Sequence, residues 1–285
     1  MTQSDWKVRI MGRTELPWLI QWAAAEGWNP GRYDAECFYS ADPRGFFVGE
    51  LAGQPVGGIS GVQYGTAYGF LGFYIVQPEF RGRGWGPQIW SAAMDYLSGR
   101  TVGLDAVTAQ EKIYERAGFA RAFRSIRYQL EGGPRPILTG PQAFMLPVQG
   151  VPFGQLLEYD RSCFFDHRPE FLTDWLQQPE AVTMAAILEG EVAGYTVMRR
   201  CLNGWKIGPL FADEPEIAED LLLAVIRHAP DEPVFLDIPE PNQAGMELAR
   251  RFAMTPVFET VRMYNREAPA LPLHRIFGIT SFELG

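Results

Sequence analysis

The sequence is poor in cysteine and histidine and has no long apolar run. Its three cysteines, Cys37, Cys163 and Cys201, are widely spaced and form no CxxC pair, which argues against a disulfide framework and a zinc site. A membrane-spanning helix is not expected, because no stretch of about 18 uncharged apolar residues is present. The first residues lack the basic-then-apolar order of a secretory signal. The sequence therefore predicts a cytoplasmic protein with reduced thiols and no bound metal.

Positive charge is also scarce, and it is unevenly distributed. The 285 residues carry 25 Lys+Arg against 34 Asp+Glu, for a formal net charge of −9. Residues 1–130 carry +1, whereas residues 131–285 carry −10. An acidic chain is a poor partner for nucleic acid, whose binding depends on neutralising phosphates. With 47% apolar and 21% charged residues, the composition is that of a globular protein, and the charge difference indicates two units.

The first unit shows strands and helices in the order of an α/β chain with antiparallel early strands. Two strands, Gly45–Leu51 and Pro55–Val62, are joined by a short turn, and an aromatic, β-branched run over Ala67–Val76 predicts a central strand. A helix is predicted over Pro87–Ser98, with Pro87 at its first position. The other predicted elements are strands Lys7–Met11, Val102–Val107 and Phe123–Leu130 and helices Glu15–Glu26 and Gln110–Ala117.

The second unit is interpreted as an altered copy of the first. The similar segments pair Gly72 with Gly208, Leu104-Asp105 with Leu236-Asp237, and Ser125-Ile126-Arg127-Tyr128 with Thr260-Val261-Arg262-Met263. Their offsets drift between 132 and 136 residues, as small insertions in a duplicated fold would cause. A Pro- and Gly-rich segment separates the copies. We therefore predict an N-terminal domain over 1–130, a linker over 131–146 and a C-terminal domain over 147–285.

The segment Arg81-Gly82-Arg83-Gly84-Trp85-Gly86 lies between the central strand and the following helix and indicates an anion site. Free N–H groups and the positive dipole at a helix start attract anions, glycines let the backbone approach, and two arginines add charge. A diphosphate fits this description. A Walker loop is excluded because the segment lacks Gly-Lys-Ser/Thr, and a GxGxxG fingerprint starting at Gly82 would place Pro87 at its third glycine.

These motifs resemble the coenzyme A loop of the GNAT family of acyl-CoA N-acyltransferases. Arg81, Gly84 and Gly86 match the family pattern Arg/Gln-x-x-Gly-x-Gly/Ala. Downstream, the family's Asn, Tyr and Gly-Phe places hold Gln110, Tyr114 and Gly118-Phe119, so that Gln110 departs from the pattern. The resemblance covers about residues 6–130, and the whole chain resembles bacterial tandem proteins whose C-terminal domain is also GNAT-like.

The resemblance implies an α/β (α+β) fold of two tandem GNAT-like domains, each a mixed, mostly antiparallel sheet flanked by helices. The second domain is expected to be degenerate, because Pro215–Leu222 replaces the glycines and arginines of the loop. Carboxylates nearby would repel a diphosphate, and Met246 or Leu248 takes the place of Tyr114. We expect this domain to be a structural partner, and a role in walling the acceptor pocket is left open.

The resemblance further implies direct transfer of an acetyl group from acetyl-CoA to a primary amine of a small molecule, an amino acid derivative or a peptide. Tyr114 would protonate the leaving thiolate, and the N–H of Val76 would face the thioester carbonyl. The expected acceptor contacts are Trp28, Asn29 and Tyr74. The expected contacts with acetyl-CoA are Tyr74, Ile75, Val76, Arg81, Gly82, Arg83, Gly84, Trp85, Gly86, Gln110 and Tyr114.

The general base is not identified by the sequence. The strand before the loop carries no carboxylate, so Asp105 and Asp34 are the candidate catalytic bases, with Glu36 a third. Aspartates are also common at helix caps and turns. The alternative function is a non-catalytic sensor or partner protein that binds acetyl-CoA or CoA. No nucleic-acid or membrane partner is expected, and both a monomer and a homodimer stay open.

Overall fold

Strands and helices alternate through both halves of the computed structural model, which describes residues 5–134 and 140–285. The strands of the first half are β1 Trp6–Ile10, β2 Phe46–Leu51, β3 Gln54–Tyr64, β4 Tyr68–Val76, β5 Thr101–Val107 and β6 Ala120–Leu130. Its helices are α1 Leu16–Ala25, α2 Asp34–Ala41, α3 Trp85–Tyr96 and α4 Glu111–Arg116.

The second half repeats this order of elements. Its strands are β7 Phe144–Pro147, β8 Val182–Leu188, β9 Glu191–Arg200, β10 Trp205–Ala212, β11 Val234–Pro239, β12 Thr255–Tyr264 and β13 Ile276–Gly278. Its helices are α5 Phe153–Phe164, α6 Pro169–Trp175, α7 Pro215–Ile226 and α8 Gln243–Arg251. Gly72 and Gly208, paired by the predicted duplication, lie in β4 and β10, at matching places in the two halves.

The strands of the two halves join in one sheet. Its order is β1-β2-β3-β4-β5-β12-β6-β11-β10-β9-β8-β7, with β13 paired to β10. Among the described strands, β4–β5 and β10–β11 pair in parallel and the other neighbours are antiparallel. This agrees with the predicted mixed, mostly antiparallel sheets.

The halves exchange their last long strands. The strand β12 of the second half lies between β5 and β6 of the first, and β6 lies between β12 and β11. Two buried ion pairs reinforce the exchange. Arg127 of β6 binds Asp237 of β11 at 2.7 and 2.8 Å, and Arg262 of β12 binds Asp105 of β5 at 2.7 and 2.7 Å. These four residues are equivalent in the duplication, so each half supplies an arginine to the aspartate of the other.

The parallel pairs β4–β5 and β10–β11 both come apart part-way along. The β4–β5 register runs from Tyr68 to Leu71, and beyond it Phe73 has a φ of +49°, at an irregularity in the pairing of β4 with β3. In the second half, β11 pairs with β10 only as far as Ile207, and β13 then fills the gap. The opening is therefore free in the first half and occupied by the chain itself in the second.

Three apolar clusters hold the helices on this sheet. One joins α3 to β3 and β5 through residues such as Ile89 and Ala93, and another forms around α7. The third extends across both halves, from Leu16 to Leu284. The halves therefore share a core as well as a sheet, and burial of this apolar surface stabilises them together.

The structure differs from the predicted elements at some boundaries. Helix α3 begins at Trp85, so Pro87 occupies its third position rather than its first. Helix α2 was not predicted, and part of the predicted linker forms the edge strand β7. Residues 135–139 of that linker lie outside the described residues. Within 5–134 and 140–285, no helix is long and apolar enough to cross a membrane.

Candidate active site

A cleft of about 720 Å³ opens where β4 and β5 separate. One wall is the second half of β4, and the other comes from β5 and α4. The cleft leads to the start of α3, where the glycine-rich loop lies. Residues of β12 and of the segment after β13 also line it. The divergence of the two strands thus creates the space, and both halves line it.

The loop before α3 has the conformation of an anion cradle. Gly84 is the N-cap residue with a φ of +82°, and Gly82 has a φ of +73°. A Cβ at either position would meet nothing within 4 Å, so both glycines leave open space at the loop. No described side chain caps the first turn of α3. These features fit a diphosphate held by backbone N–H groups.

The two arginines of the loop are placed differently. The Nε of Arg81 donates to the carbonyl oxygen of Val76 at 2.7 Å, and its guanidinium also pairs with Glu26. Arg83 is exposed, with its guanidinium 5.8 Å from the ring centre of Phe80. Arg81 therefore braces the end of β4 and lines the cleft, whereas Arg83 lies outside the cleft lining.

Aromatic side chains pack closely around the loop. A Cβ at Gly86 would lie 2.7 Å from the Tyr74 hydroxyl, so the glycine allows β4 and α3 to approach. Trp85 stacks on Trp6 with ring centres 4.4 Å apart. Tyr74 and Trp85 line the cleft, as do Ile75 and Val76.

Gln110 and Tyr114 enter the cleft from the other wall. Gln110 is the N-cap residue of α4 and Tyr114 follows one turn later, so both face the same side of that helix. The Tyr114 ring lies 5.5 Å from that of Trp90. Burial, with a smaller contribution from Tyr74, raises the pKa of the Tyr114 phenol. The hydroxyl is therefore protonated near neutral pH and can donate a proton.

Asp105 reaches the cleft, but its carboxylate is already bound. Both oxygens accept hydrogen bonds from Arg262, and the side chain is fully buried. Burial raises the pKa of this carboxyl, while the Arg262 charge opposes the rise. Asp237 makes the equivalent pair with Arg127 in the half that lacks the loop. The geometry therefore favours a structural role for Asp105 over the predicted role of base.

Asp34 and Glu36 do not line the cleft. The Oδ1 of Asp34 accepts from Arg199 at 2.9 Å, and its Oδ2 accepts from the backbone N–H of Gly31 at 2.8 Å. Glu36 is exposed on α2 and pairs with Arg13. This placement gives neither carboxylate direct access to a substrate in the cleft.

The predicted acceptor residues Trp28 and Asn29 are separated by the structure. Trp28 lines the cleft, while Asn29 turns to the second half of the chain. The Asn29 side chain donates to the carbonyl of Asn203 at 2.8 Å and accepts from its N–H at 2.9 Å. Lys206 donates to the Asn29 carbonyl at 2.7 Å. Asn29 thus fixes the loop that presents Trp28.

Sequence reasoning missed the cleft residues contributed by the second half. Phe258 and Thr260 come from β12, and Phe282 and Glu283 from the last residues of the chain. The one signal visible in the sequence was Glu283, a carboxylate beside the aromatic Phe282 in a mostly apolar C-terminal segment. Nothing in their spacing relates them to the glycine loop. The exchange of β12 brings Phe258 and Thr260 there, whereas Phe282 and Glu283 arrive on the segment that follows β13 and packs on β4 at Gly72.

The cysteines take no part in the cleft. All three are free and buried, and burial raises the pKa of each thiol. Over the two described ranges, no three His, Cys, Asp or Glu side chains come together in a group that could hold a metal ion.

Two family models match the chain in succession. Residues 13–119 match the model described as Acetyltransferase (GNAT) family, and residues 156–278 match the one described as Acetyltransferase (GNAT) domain. The chain belongs to the GNAT family of acyltransferases. The GNAT family uses acyl-CoA as donor, in agreement with a cleft that ends on an anion cradle.

Full-length similarity supports the tandem GNAT arrangement. The chain is 29% identical to holothin acyltransferase of Pseudoalteromonas sp. (strain SANK 73390), over 98% of this chain and 95% of the relative. A Pyrococcus horikoshii protein described as an acetyltransferase has a TM-score of 0.84 at 23% identity, over 100% of this chain and 98% of that one. A tandem GNAT protein from the clavulanic acid biosynthesis pathway has a TM-score of 0.63 at 16% identity, over 93% and 100%. The two structures show that the whole fold recurs.

Proposed function

We propose that this acyltransferase moves an acetyl group from acetyl-CoA directly to the primary amine of a small molecule. The observation that carries the proposal is the cleft itself. It joins the glycine cradle at α3 to Tyr114 across the free opening between β4 and β5. We place the activity in the cytoplasm, where buried thiols such as these stay reduced.

In this proposal the two halves bind different substrates. Residues 1–130 hold the donor, and residues 147–285, beyond the linker 131–146, complete the acceptor end. The N–H groups at Gly82–Gly86 and the side chain of Arg83 bind the diphosphate. The edge of β4 at Tyr74–Val76 and the amide of Gln110 bind the pantetheine arm, and the N–H of Val76 faces the thioester carbonyl. Tyr114 gives its proton to the departing thiolate.

The relative matched along the whole chain supports a small-molecule acceptor. It is named holothin acyltransferase, after a single named acceptor. The cleft agrees with such an acceptor, because side chains of both halves line a space of about 720 Å³. Trp28, Phe258 and Phe282 offer aromatic surfaces there, which suit an amine on an apolar or aromatic body.

The test is a thiol-release assay with acetyl-CoA and a panel of amines, amino acids and peptides. Thermal shift with acetyl-CoA is measured beside it, because a ligand that binds the native state raises the midpoint. Turnover on small amines supports the proposal. Turnover confined to peptides would contradict the acceptor class.

A non-catalytic acetyl-CoA sensor predicts the opposite pair of results, a thermal shift without turnover on any acceptor. Calorimetric titration tests whether only the first half binds acetyl-CoA. One equivalent of acetyl-CoA per chain is expected, because β13 fills the second opening. Two equivalents would show that the second half also binds the donor.

A further inference from the structure

The last residues of the chain form a fixed, buried segment beside the catalytic cleft. Residues 279–285 are all buried and run from β13 past β4. A Cβ at Gly72, where β4 leaves β5, would clash with the carbonyl oxygen of Glu283. The Tyr64 hydroxyl donates to the Leu284 carbonyl at 2.9 Å. Glu283 is therefore held at the base of the opening.

The Glu283 carboxylate has an unused hydrogen-bonding site. The side chain is 3% exposed and lines the cleft, and its Oε2 has no hydrogen-bond partner among the described residues. A buried carboxylate oxygen without a donor costs free energy that native structures usually avoid. The position therefore fits a group that receives its partner from a ligand.

Positively charged side chains surround Glu283 without forming a hydrogen bond to its Oε2. Electrostatic interaction links Glu283 to Arg127, Arg199 and Lys206. Their hydrogen bonds go to other residues, and Nη1 and Nη2 of Arg199 have no partner among the described residues. Arg127 binds Asp237, Arg199 binds Asp34, and Lys206 donates to backbone carbonyls of the Trp28 loop. The three cations thus lie among three carboxyl side chains, those of Asp34, Asp237 and Glu283.

The wall beside Glu283 suits an ammonium group. Phe258 and Phe282 lie with ring centres 6.1 Å apart, and both line the cleft. The Arg127 guanidinium, which Asp237 neutralises, lies 5.6 and 4.9 Å from these two ring centres. Thr260 adds a second buried oxygen, Oγ1, without a partner in the described part of the chain. An ammonium has three N–H donors and is attracted by aromatic faces. Two free acceptors and an aromatic wall match that chemistry.

We propose that Glu283 binds the ammonium of the acceptor and takes its proton, so that the second half of the chain supplies the general base. This inference rests on the function proposed above. Glu283 accepts one proton from R–NH₃⁺, which frees the lone pair of the amine. The nitrogen then bonds to the thioester carbon while the C–S bond breaks, and the sulfur takes the proton of Tyr114. The nitrogen loses its second proton, which restores Tyr114 through water, and Glu283 releases its proton to solvent.

The test compares Glu283→Gln with the wild-type chain in the thiol-release assay, using the best amine of the panel. We expect kcat/KM for the amine to fall about 10²- to 10⁴-fold, as for a lost general base. Acetyl-CoA affinity should change less than about twofold. The rate of the variant should keep rising with pH, because free amine in solution must replace the deprotonation step. A turnover within about threefold of wild type and an unchanged pH profile would overturn the inference.

Two further variants separate catalysis from stability. Glu247→Gln, at an exposed ion pair on α8, removes the same charge and should behave as wild type. Glu283→Asp keeps the charge balance but withdraws the carboxylate, so it should fold normally and lose at least about tenfold in kcat. Full activity in Glu283→Asp, or a Glu283→Gln defect confined to melting temperature, would assign Glu283 a structural role. Absence of turnover in the wild type would instead refute the proposed function.

Discussion

Two residues of the cleft are held in a particular state by their surroundings. The backbone conformation at position 84 favours glycine, and burial keeps Tyr114 protonated. Gly84 is held at a φ of +82°, which side chains other than glycine adopt at a cost of about 1–2 kcal/mol. Tyr114 is held as a neutral phenol, because burial raises its pKa. Both properties can be tested by single substitutions with matched controls.

Gly84→Val should abolish acetyl-CoA binding. A β-branched residue is strained at positive φ, so the loop would change conformation and lose its aligned N–H groups. Gly190→Val is the control, because Gly190 has a φ of +90° with open space around its Cβ but lies in a turn of the second half. The measurement is the acetyl-CoA-induced thermal shift. Gly84→Val should lose it and Gly190→Val should keep it, and equal shifts in both would contradict the cradle.

Tyr114→Phe should lower kcat about 10²-fold or more and leave acetyl-CoA affinity almost unchanged. The substitution removes the proton for the thiolate but keeps the ring packed on Trp90. The control for a lost phenol is Tyr128→Phe, because the Tyr128 hydroxyl hydrogen-bonds only to the Met246 sulfur among the described residues.

The raised pKa of Tyr114 also means that wild-type turnover should not decline until above about pH 10. A decline near pH 8, absent in Tyr114→Phe, would contradict this role.

Among the elements, the exchanged strands β6 and β12 are joined to their neighbours by equivalent ion pairs. Arg127–Asp237 and Arg262–Asp105 are both buried and both bidentate. Removing one partner of such a pair leaves an uncompensated buried charge. The pairs therefore specify which strands lie side by side, and breaking either should affect folding first.

Asp105→Asn and Asp237→Asn should destabilise the protein to a similar extent, by about 3–5 kcal/mol each. Urea unfolding measures the change, and Asp231→Asn at an exposed turn is the control.

Burial opposes ionisation of Asp237, but the Arg127 charge outweighs it and lowers the pKa. Its stabilisation is thus present above the ordinary Asp pKa of about 3.9 and is lost as pH falls through the lower folded value. Normal stability with lost turnover in Asp105→Asn would instead identify Asp105 as the base.

Most individual elements could be predicted from the sequence, because each depends on neighbouring residues. The aromatic run of β4 and the glycines before α3 are local signals, and Gln110 and Tyr114 follow at helical spacing. The partner of Asp105 could not be predicted in this way. Arg262 is 157 positions away and reaches Asp105 only because β12 enters the first half. Glu283 was also missed because of its distance in sequence, since the segment that follows β13 carries it to β4 at Gly72.

For the whole molecule, the shared sheet makes the halves depend on each other. Strand β6 belongs to the first half by sequence, but its neighbours are β11 and β12 of the second. Neither half can complete its hydrogen bonding alone, and the largest apolar cluster contains residues of both. The duplication was visible in the sequence as similar segments whose offsets drift. The exchange was not visible, because β6 and β12 are equivalent strands with similar sequence patterns, and either one would suit either position in the sheet.

The chain should therefore unfold in one cooperative transition. Hydrogen exchange at increasing urea concentration would measure the opening free energy of β3 in the first half and β9 in the second. We expect the two values to converge on the same global free energy, because neither half retains a complete sheet without the other. Exchange of one half at clearly lower denaturant, with the other still protected, would show independent domains.

The strand order also determines how long β5 waits for its partner β12 during synthesis on the ribosome. Thr255, the first residue of β12, follows Val107, the last of β5, by 148 residues. At about 5–20 residues per second, the ribosome needs roughly 7–30 s to make that span. During this interval β5 has one unpaired edge, which can recruit strands of other nascent chains. Translation speed and chaperone capture between β5 and β12 should thus govern how much active protein a cell obtains.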